Sequence, residues 1–271
     1  MARTAGIWFL AVLALAVTVA ALALPPLAQP PEYHQFADRR TLLGIPNFFN
    51  VFSNVAFLLV GGAGVVLLLR NRLPHASQPL LDRSVRWTYL VLFAAVALTC
   101  IGSAYYHLAP DNSRLTWDRL PMSVAFMALL AAMISERIHP SAGVTLLGPL
   151  VLVGIASVLY WHWGEAAGTG NLRPYVAVQT FAIVAVLLIF FLFPPRYSRG
   201  TDIVVAVALY AAAKGAEFYD GEIFSAGRLV GGHALKHLFA ALAVFWILRM
   251  IWKRAPVTGP AAANISSASA S

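Results

Sequence analysis

The chain has 271 residues, 60% of them hydrophobic and only 11% charged, with a mean hydropathy of +0.74. That is too little polar surface to coat a globule in water, which excludes a soluble domain. Nineteen Lys and Arg against 11 Asp and Glu leave a net charge of +8, which membrane topology explains without a nucleic-acid partner.

The apolar residues fall in blocks of roughly 20, the length that crosses a hydrocarbon layer about 30 Å thick. Eight helices are predicted, starting near residues 5, 47, 87, 119, 143, 174, 202 and 230, each roughly 18 to 23 residues long. The first, behind Arg3, reads as a retained membrane helix; its basic start, apolar run and small residues near Leu24 and Pro25 also suit a signal peptide. Either choice leaves the other crossings in the same orientation. The expected fold is all-α, a multi-pass transmembrane bundle with eight crossings. It divides into an N-terminal helix within residues 1–30, a seven-helix core at 31–254 and a disordered tail at 255–271, rich in Ala and Ser. Cys100, the one cysteine, lies inside an apolar block, so no internal disulfide forms and desolvation disfavours a nucleophilic thiolate.

Charges set the expected orientation. Arg3, then Arg70, Arg72, Arg83 and Arg86, then Arg137, then Arg196 and Arg199, then Arg249, Lys253 and Arg254 make 11 on one side. Arg39, Arg40, Arg114, Arg119, Arg173 and Arg228 make six on the other. The basic excess marks the first side as cytoplasmic. Both termini then face the cytoplasm, with the protein in the cell's inner membrane.

Polar groups inside a bilayer are expensive unless they face a cavity or a partner, so they point to function. Among the histidines, His75 and His139 fall in cytoplasmic loops, His34 in the first outer loop, and His162 between two tryptophans at an outer helix end. Three remain. His107 ends the third helix one turn beyond Ser103, on the same face. His233 and His237 stand at i, i+4 at the outer start of the last helix, a spacing that lets two imidazoles bind one ion. Asp118 follows across a short outer turn, where it would serve as a proton shuttle or merely as the N-cap of the fourth helix. Three neutral imidazoles with an open fourth position are the ligand set of a catalytic zinc, and a nearby carboxylate completes the hydrolytic arrangement.

Lys214, Glu217 and Asp220 recur at three-residue intervals and are expected on one face of the seventh helix. They read as a charge-neutralising cluster, with Asp220 also placed to orient a ligand imidazole. Arg173, with Tyr175 two residues on, opens the sixth helix from outside, where it either contacts a lipid head group or tethers the helix end.

Residues 33–252 resemble the alkaline ceramidase family, within the membrane-hydrolase superfamily that also holds the progestin and adipoQ receptors. The resemblance rests on Phe49-Asn50-Val51-Phe52-Ser53-Asn54, Ser103 with His107, Asp118, and the His233/His237 pair. It implies a seven-helix zinc amidase that cuts ceramide, or a related lipid amide, into a fatty acid and an amine base. Zinc on His107, His233 and His237, with Asp118 and Ser103 as catalytic partners, is likewise what the resemblance implies. The chain departs from the family on the N-terminal side. Eukaryotic relatives carry an acidic stretch and a Glu before the Asn-rich motif that bind calcium. Here stand Tyr33-His34-Gln35-Phe36-Ala37-Asp38-Arg39-Arg40 and then Asn47; two arginines and one Asp make a poor calcium site.

The expected activity is therefore zinc-dependent hydrolysis of a lipid amide, in a cavity toward the outer face, with membrane lipids around it. Two other functions fit parts of the pattern. One is a lipid-sensing receptor of the same superfamily that retains zinc with slow or no turnover. The other is an ion-coupled transporter using Lys214, Glu217 and Asp220, although paired broken helices in repeated halves are missing. Nothing in the sequence sets the oligomeric state.

Overall fold

A computed structural model describes residues 2–70 and 83–257. In chain order the elements are α1 (Ala2–Ala23), a 3-10 turn (Pro31–His34), α2 (Phe48–Phe52), α3 (Val55–Leu69) and α4 (Arg83–Leu108). Then come α5 (Asn112–Met133), prolonged by a π-helical turn (Ile134–Ile138), α6 (Pro140–Ala166) and α7 (Arg173–Leu192). The last are α8 (Asp202–Phe218), α9 (Asp220–Gly227) and α10 (Gly232–Lys253). The basic loop around Arg72 and His75 and the tail beyond residue 257 lie outside the described residues.

Among the described residues, seven helices are long and apolar enough to cross a membrane, α2 and α3 counting as one, and they mark an integral membrane protein. Apolar side chains stand exposed along α1, α3, α6 and α7, for example Trp8, Leu59, Leu152 and Phe191, as expected of surfaces that meet lipid rather than water. The remaining predicted crossing, α8, has 17 residues and carries Asp202, Lys214 and Glu217. At 1.5 Å per residue it reaches roughly 26 Å, the short limit for a span. Asp202 and Glu217 pack inward, against Arg249 and Lys236 of α10, while Lys214 is exposed.

Two boundaries differ from the sequence expectation. α5 starts at Asn112, not near residue 119, because Asp111 caps it, its carboxylate accepting from the Arg114 amide at 2.7 Å. The polar first turn lies outside the apolar block that marks the span in the sequence. Asp118 is therefore not an N-cap but a buried residue in the second turn. The chain also breaks at Tyr219, so Asp220 opens α9 instead of continuing the Lys214–Glu217 face of α8.

The helices close around a cavity. α4 packs between α3 and α5, α5 meets α7, and α10 joins α8 to α3, while α6 lies against α4, α5 and α7 and α1 against α7. One apolar cluster, with Tyr89, Phe93, Met133 and Ile251, fills the end near Arg254. A second, with Phe36, Tyr106, Leu115 and Trp161, fills the end near His107. At the Arg254 end the buried Arg254 and Glu136 form an ion pair, and the Tyr89 hydroxyl donates to the same carboxylate at 2.7 Å. Arg137 there donates to the carbonyls of Phe193 and Phe190, at 2.8 and 3.0 Å.

Candidate metal centre and lipid cavity

His107 comes from the last turn of α4, and His233 and His237 from the first two turns of α10. Their ring centroids lie 4.9, 4.9 and 5.1 Å apart. One nitrogen from each ring falls within 4.8 Å of the others, and all three residues are buried. Both ring nitrogens of His107 and Nε2 of His233 have no hydrogen-bond partner. Buried imidazole nitrogens are normally paired, so orphaned nitrogens on two rings of a convergent trio ask for an electron-pair acceptor at their centre. The donor set fits zinc, and the third ring is prepared for the same role. Ser53 Oγ lies 2.8 Å from His237 Nδ1, and the Asn50 main chain also bonds this ring, leaving Nε2 for an ion.

The Asn-rich segment builds this arrangement. Asn47 takes a left-handed backbone conformation, with φ of 49°, and its Nδ2 donates to the His107 carbonyl at 2.9 Å, closing the last turn of α4. Asn50 Nδ2 donates to the Asp38 carbonyl and Asn54 Nδ2 to the Asn50 carbonyl. α10 is held on the other side by close approach: a Cβ on Gly232 would lie 2.1 Å from the Ala216 carbonyl. The Phe36 ring caps the cluster, 4.7 Å from His107 and 4.5 Å from His233.

Ser103 and Asp118 meet beside the histidines, the Ser103 hydroxyl donating to the Asp118 carboxylate. Gly102 and Trp117, the residues just before them, are where α4 and α5 nearly touch; a Cβ on Gly102 would lie 2.0 Å from the Trp117 carbonyl. Ser103, Asp118 and His237 line one end of a cavity of about 330 Å³, whose walls run between apolar side chains to Ile247 on α10.

The other expected residues separate. Asp220 does not reach a ligand imidazole. Its two oxygens accept from the main-chain amides of His233 and Ala37, at 2.9 and 2.8 Å, because the break at Tyr219 turns it toward the start of α10. Arg173 tethers: its backbone and Nε donate to Asn171 Oδ1 and its Nη1 to the Leu22 carbonyl. Tyr175 lines the cavity and accepts from Gln179 Nε2 at 2.7 Å. Glu217 pairs with Lys214 on its own helix and, at 2.7 Å, with Lys236 on α10. Lys236 had no signal as a site residue beyond its place inside an apolar helix. Arg119, counted among the outer-loop charges, is instead 4% exposed within α5 and lines the cavity.

A sequence model described as Ceramidase matches residues 43–202, more than half of the chain. The chain belongs to the ceramidase family. No curated protein matches it. The ceramidase match takes in Ser103, His107 and Asp118, while His233 and His237 lie on the helix beyond it. The family implies a hydrolase acting on amide bonds, so the histidine cluster and its neighbours are the place to look for that chemistry.

Proposed function

We propose that the protein is a zinc-dependent lipid amidase that hydrolyses ceramide or a related lipid amide. The observation that carries this is the trio of buried, convergent imidazoles, with unpartnered nitrogens, beside a Ser103–Asp118 pair at the polar end of an apolar cavity. His107, His233 and His237 would hold the ion, which when bound supplies a Lewis acid that makes water a nucleophile near neutral pH and polarises the amide carbonyl.

The chain's own groups do the rest. Apolar walls from α3, α4, α5, α7, α8 and α10 take the acyl chain and leave the amide at the polar end. Asp118 accepts the proton of the attacking water and returns it to the nitrogen as the amine leaves, since an unprotonated amine leaves poorly. Ser103 holds Asp118 in place in the resting site. Once Asp118 is protonated, the Ser103 hydroxyl turns to the developing oxyanion, a donation worth on the order of 3 kcal/mol in the transition state.

Calcium has no role in this scheme. Arg40 donates to both carboxylate oxygens of Asp38, from Nε at 2.8 Å and Nη2 at 2.7 Å, and to the carbonyls of Arg228 and Leu229. A guanidinium thus occupies the oxygens a hard cation would need. Glu217 sits between Lys214 and Lys236, which favours a neutralising cluster over an ion pathway. The charge count puts both termini in the cytoplasm and the histidines toward the outer face.

Metal content and ceramide hydrolysis measured together on detergent-purified protein test the proposal. One zinc per chain and released fatty acid, both lost in His233→Ala, is the expected result; a protein that purifies without metal removes the proposal. Asp118→Asn is expected to keep zinc while turnover falls by at least about a hundredfold. Undiminished turnover would take the proton shuttle from Asp118.

A further inference from the structure

Arg119 is a buried charge that the scheme above does not use. It follows Asp118 on α5, turned about 100° around the helix. Its guanidinium lies 4.2 Å from the Trp161 ring, 4.8 Å from Tyr175 and 5.6 Å from Tyr33. Nη2 donates to the neutral Gln29 side chain at 2.6 Å, and Nη1 has no partner.

The other buried cations in the described residues are answered differently. Lys236 has Glu217, and Arg254 has Glu136. Arg137 spends its donors on the helix-end carbonyls of α7. Among the described residues Arg119 has no carboxylate partner, and aromatic faces and one amide stand in for it. A buried cation of this kind is costly in a membrane protein unless something else completes it. The free Nη1 belongs to a cavity-lining residue, at the same polar end as Ser103 and Asp118.

We infer that Arg119 is a substrate-anchoring residue for a carboxylate, and that among the lipid amides this protein takes it prefers those that carry a carboxylate on the amine half, as an N-acyl amino acid does, over neutral ones. The inference rests on the amidase reading and names its substrate class. The geometry gives the direction. With the amide at Asp118 and Ser103, the acyl chain follows the apolar wall toward Ile247, and what remains of the molecule faces Gln29, Tyr33 and Arg119. Arg119 adjoins Asp118 in the chain, so the recognised group lies a few bonds from the amide nitrogen. A guanidinium is the side chain best shaped to meet a planar carboxylate, and its aromatic cage holds it ready for one. The second source of a carboxylate is the fatty acid freed by cleavage, so the test must separate the two.

The test compares N-palmitoylglycine with the neutral, similarly sized N-palmitoylethanolamine, on zinc-loaded, full-length protein, as wild type, Arg119→Gln and Arg119→Lys. The wild type is expected to show a KM at least tenfold lower for the acid. Arg119→Gln should erase that ratio and Arg119→Lys should keep part of it, while inhibition by added palmitate changes equally little in both. A wild-type ratio near one, or the same ratio in Arg119→Gln, overturns the inference. So does a loss of palmitate inhibition in place of the ratio, which would assign Arg119 to the product. Should Arg119→Gln not fold, the wild-type ratio and Arg119→Lys decide. Saturable N-palmitoylglycine binding with no turnover of any amide would remove the amidase reading and leave the anion site. Ceramide turnover without preference for the acid would do the reverse.

Discussion

At the residue scale, the proposed metal centre would depend on groups that touch the candidate ligands as much as on the ligands. Ser53 contacts His237 Nδ1 at 2.8 Å and fixes which nitrogen faces the other imidazoles. Ser53→Ala is expected to weaken zinc binding by about 10- to 100-fold without removing it, as measured by chelator competition; unchanged affinity would leave Ser53 a packing residue. Asp38 gives a pH prediction. Burial pushes its pKa up, but the hydrogen bonds and charge of Arg40 outweigh that and hold it below the ordinary aspartate value. A carboxyl depressed in the folded state contributes stability above its unfolded pKa and loses it as pH falls through its folded one. The melting temperature of Asp38→Asn should therefore lie below that of wild type at neutral pH, and the gap should close below about pH 4. The three histidines were legible in the sequence because i, i+4 spacing and membrane depth are both one-dimensional signals. Ser53, Lys236 and Arg119 were not legible as partners, since each acts on a residue that only folding brings near, Arg119 by turning inward from a position that reads as loop.

At the element scale, the spans were legible as apolar blocks and their polar ends were not. Asp111 begins α5 a full turn and more before the block, and the break at Tyr219 splits what looks like one charged face into α8 and α9. Both places are governed by capping and by contacts from distant segments, which hydrophobic periodicity does not record. The site also depends on how closely helices approach. Gly102 allows α4 to meet the Trp117 carbonyl of α5, and so sets Ser103 against Asp118. Gly102→Val would force the two backbones apart, costing about 1–3 kcal/mol. Calorimetry should show the lower melting temperature, and turnover should fall further than zinc content, because His233 and His237 lie on α10 and the His107 turn is tied to Asn47.

At the scale of the whole molecule, the helices are held at both ends and left open between. The Arg254 end is closed by the buried Arg254–Glu136 pair and by Tyr89 on the same carboxylate. Removing one member of a buried pair strands the other, a loss of about 3–5 kcal/mol. Glu136→Gln is expected to lower the melting temperature in detergent markedly while leaving the zinc stoichiometry of the folded fraction at one per chain. Metal loss in step with unfolding at all temperatures would instead tie this end to the site.

The Phe36 ring has a kinetic meaning. It lies across His107 and His233 on a loop whose next residue, Ala37, is held by Asp220, and Asp220 also grips the backbone of His233. The ring that caps the histidines and one of the candidate ligands beneath it thus share one carboxylate. A metal bound there would then exchange at the rate at which that shared anchor lets go. An ion seated during folding would be retained against dilution long after equilibrium affinity alone would have released it.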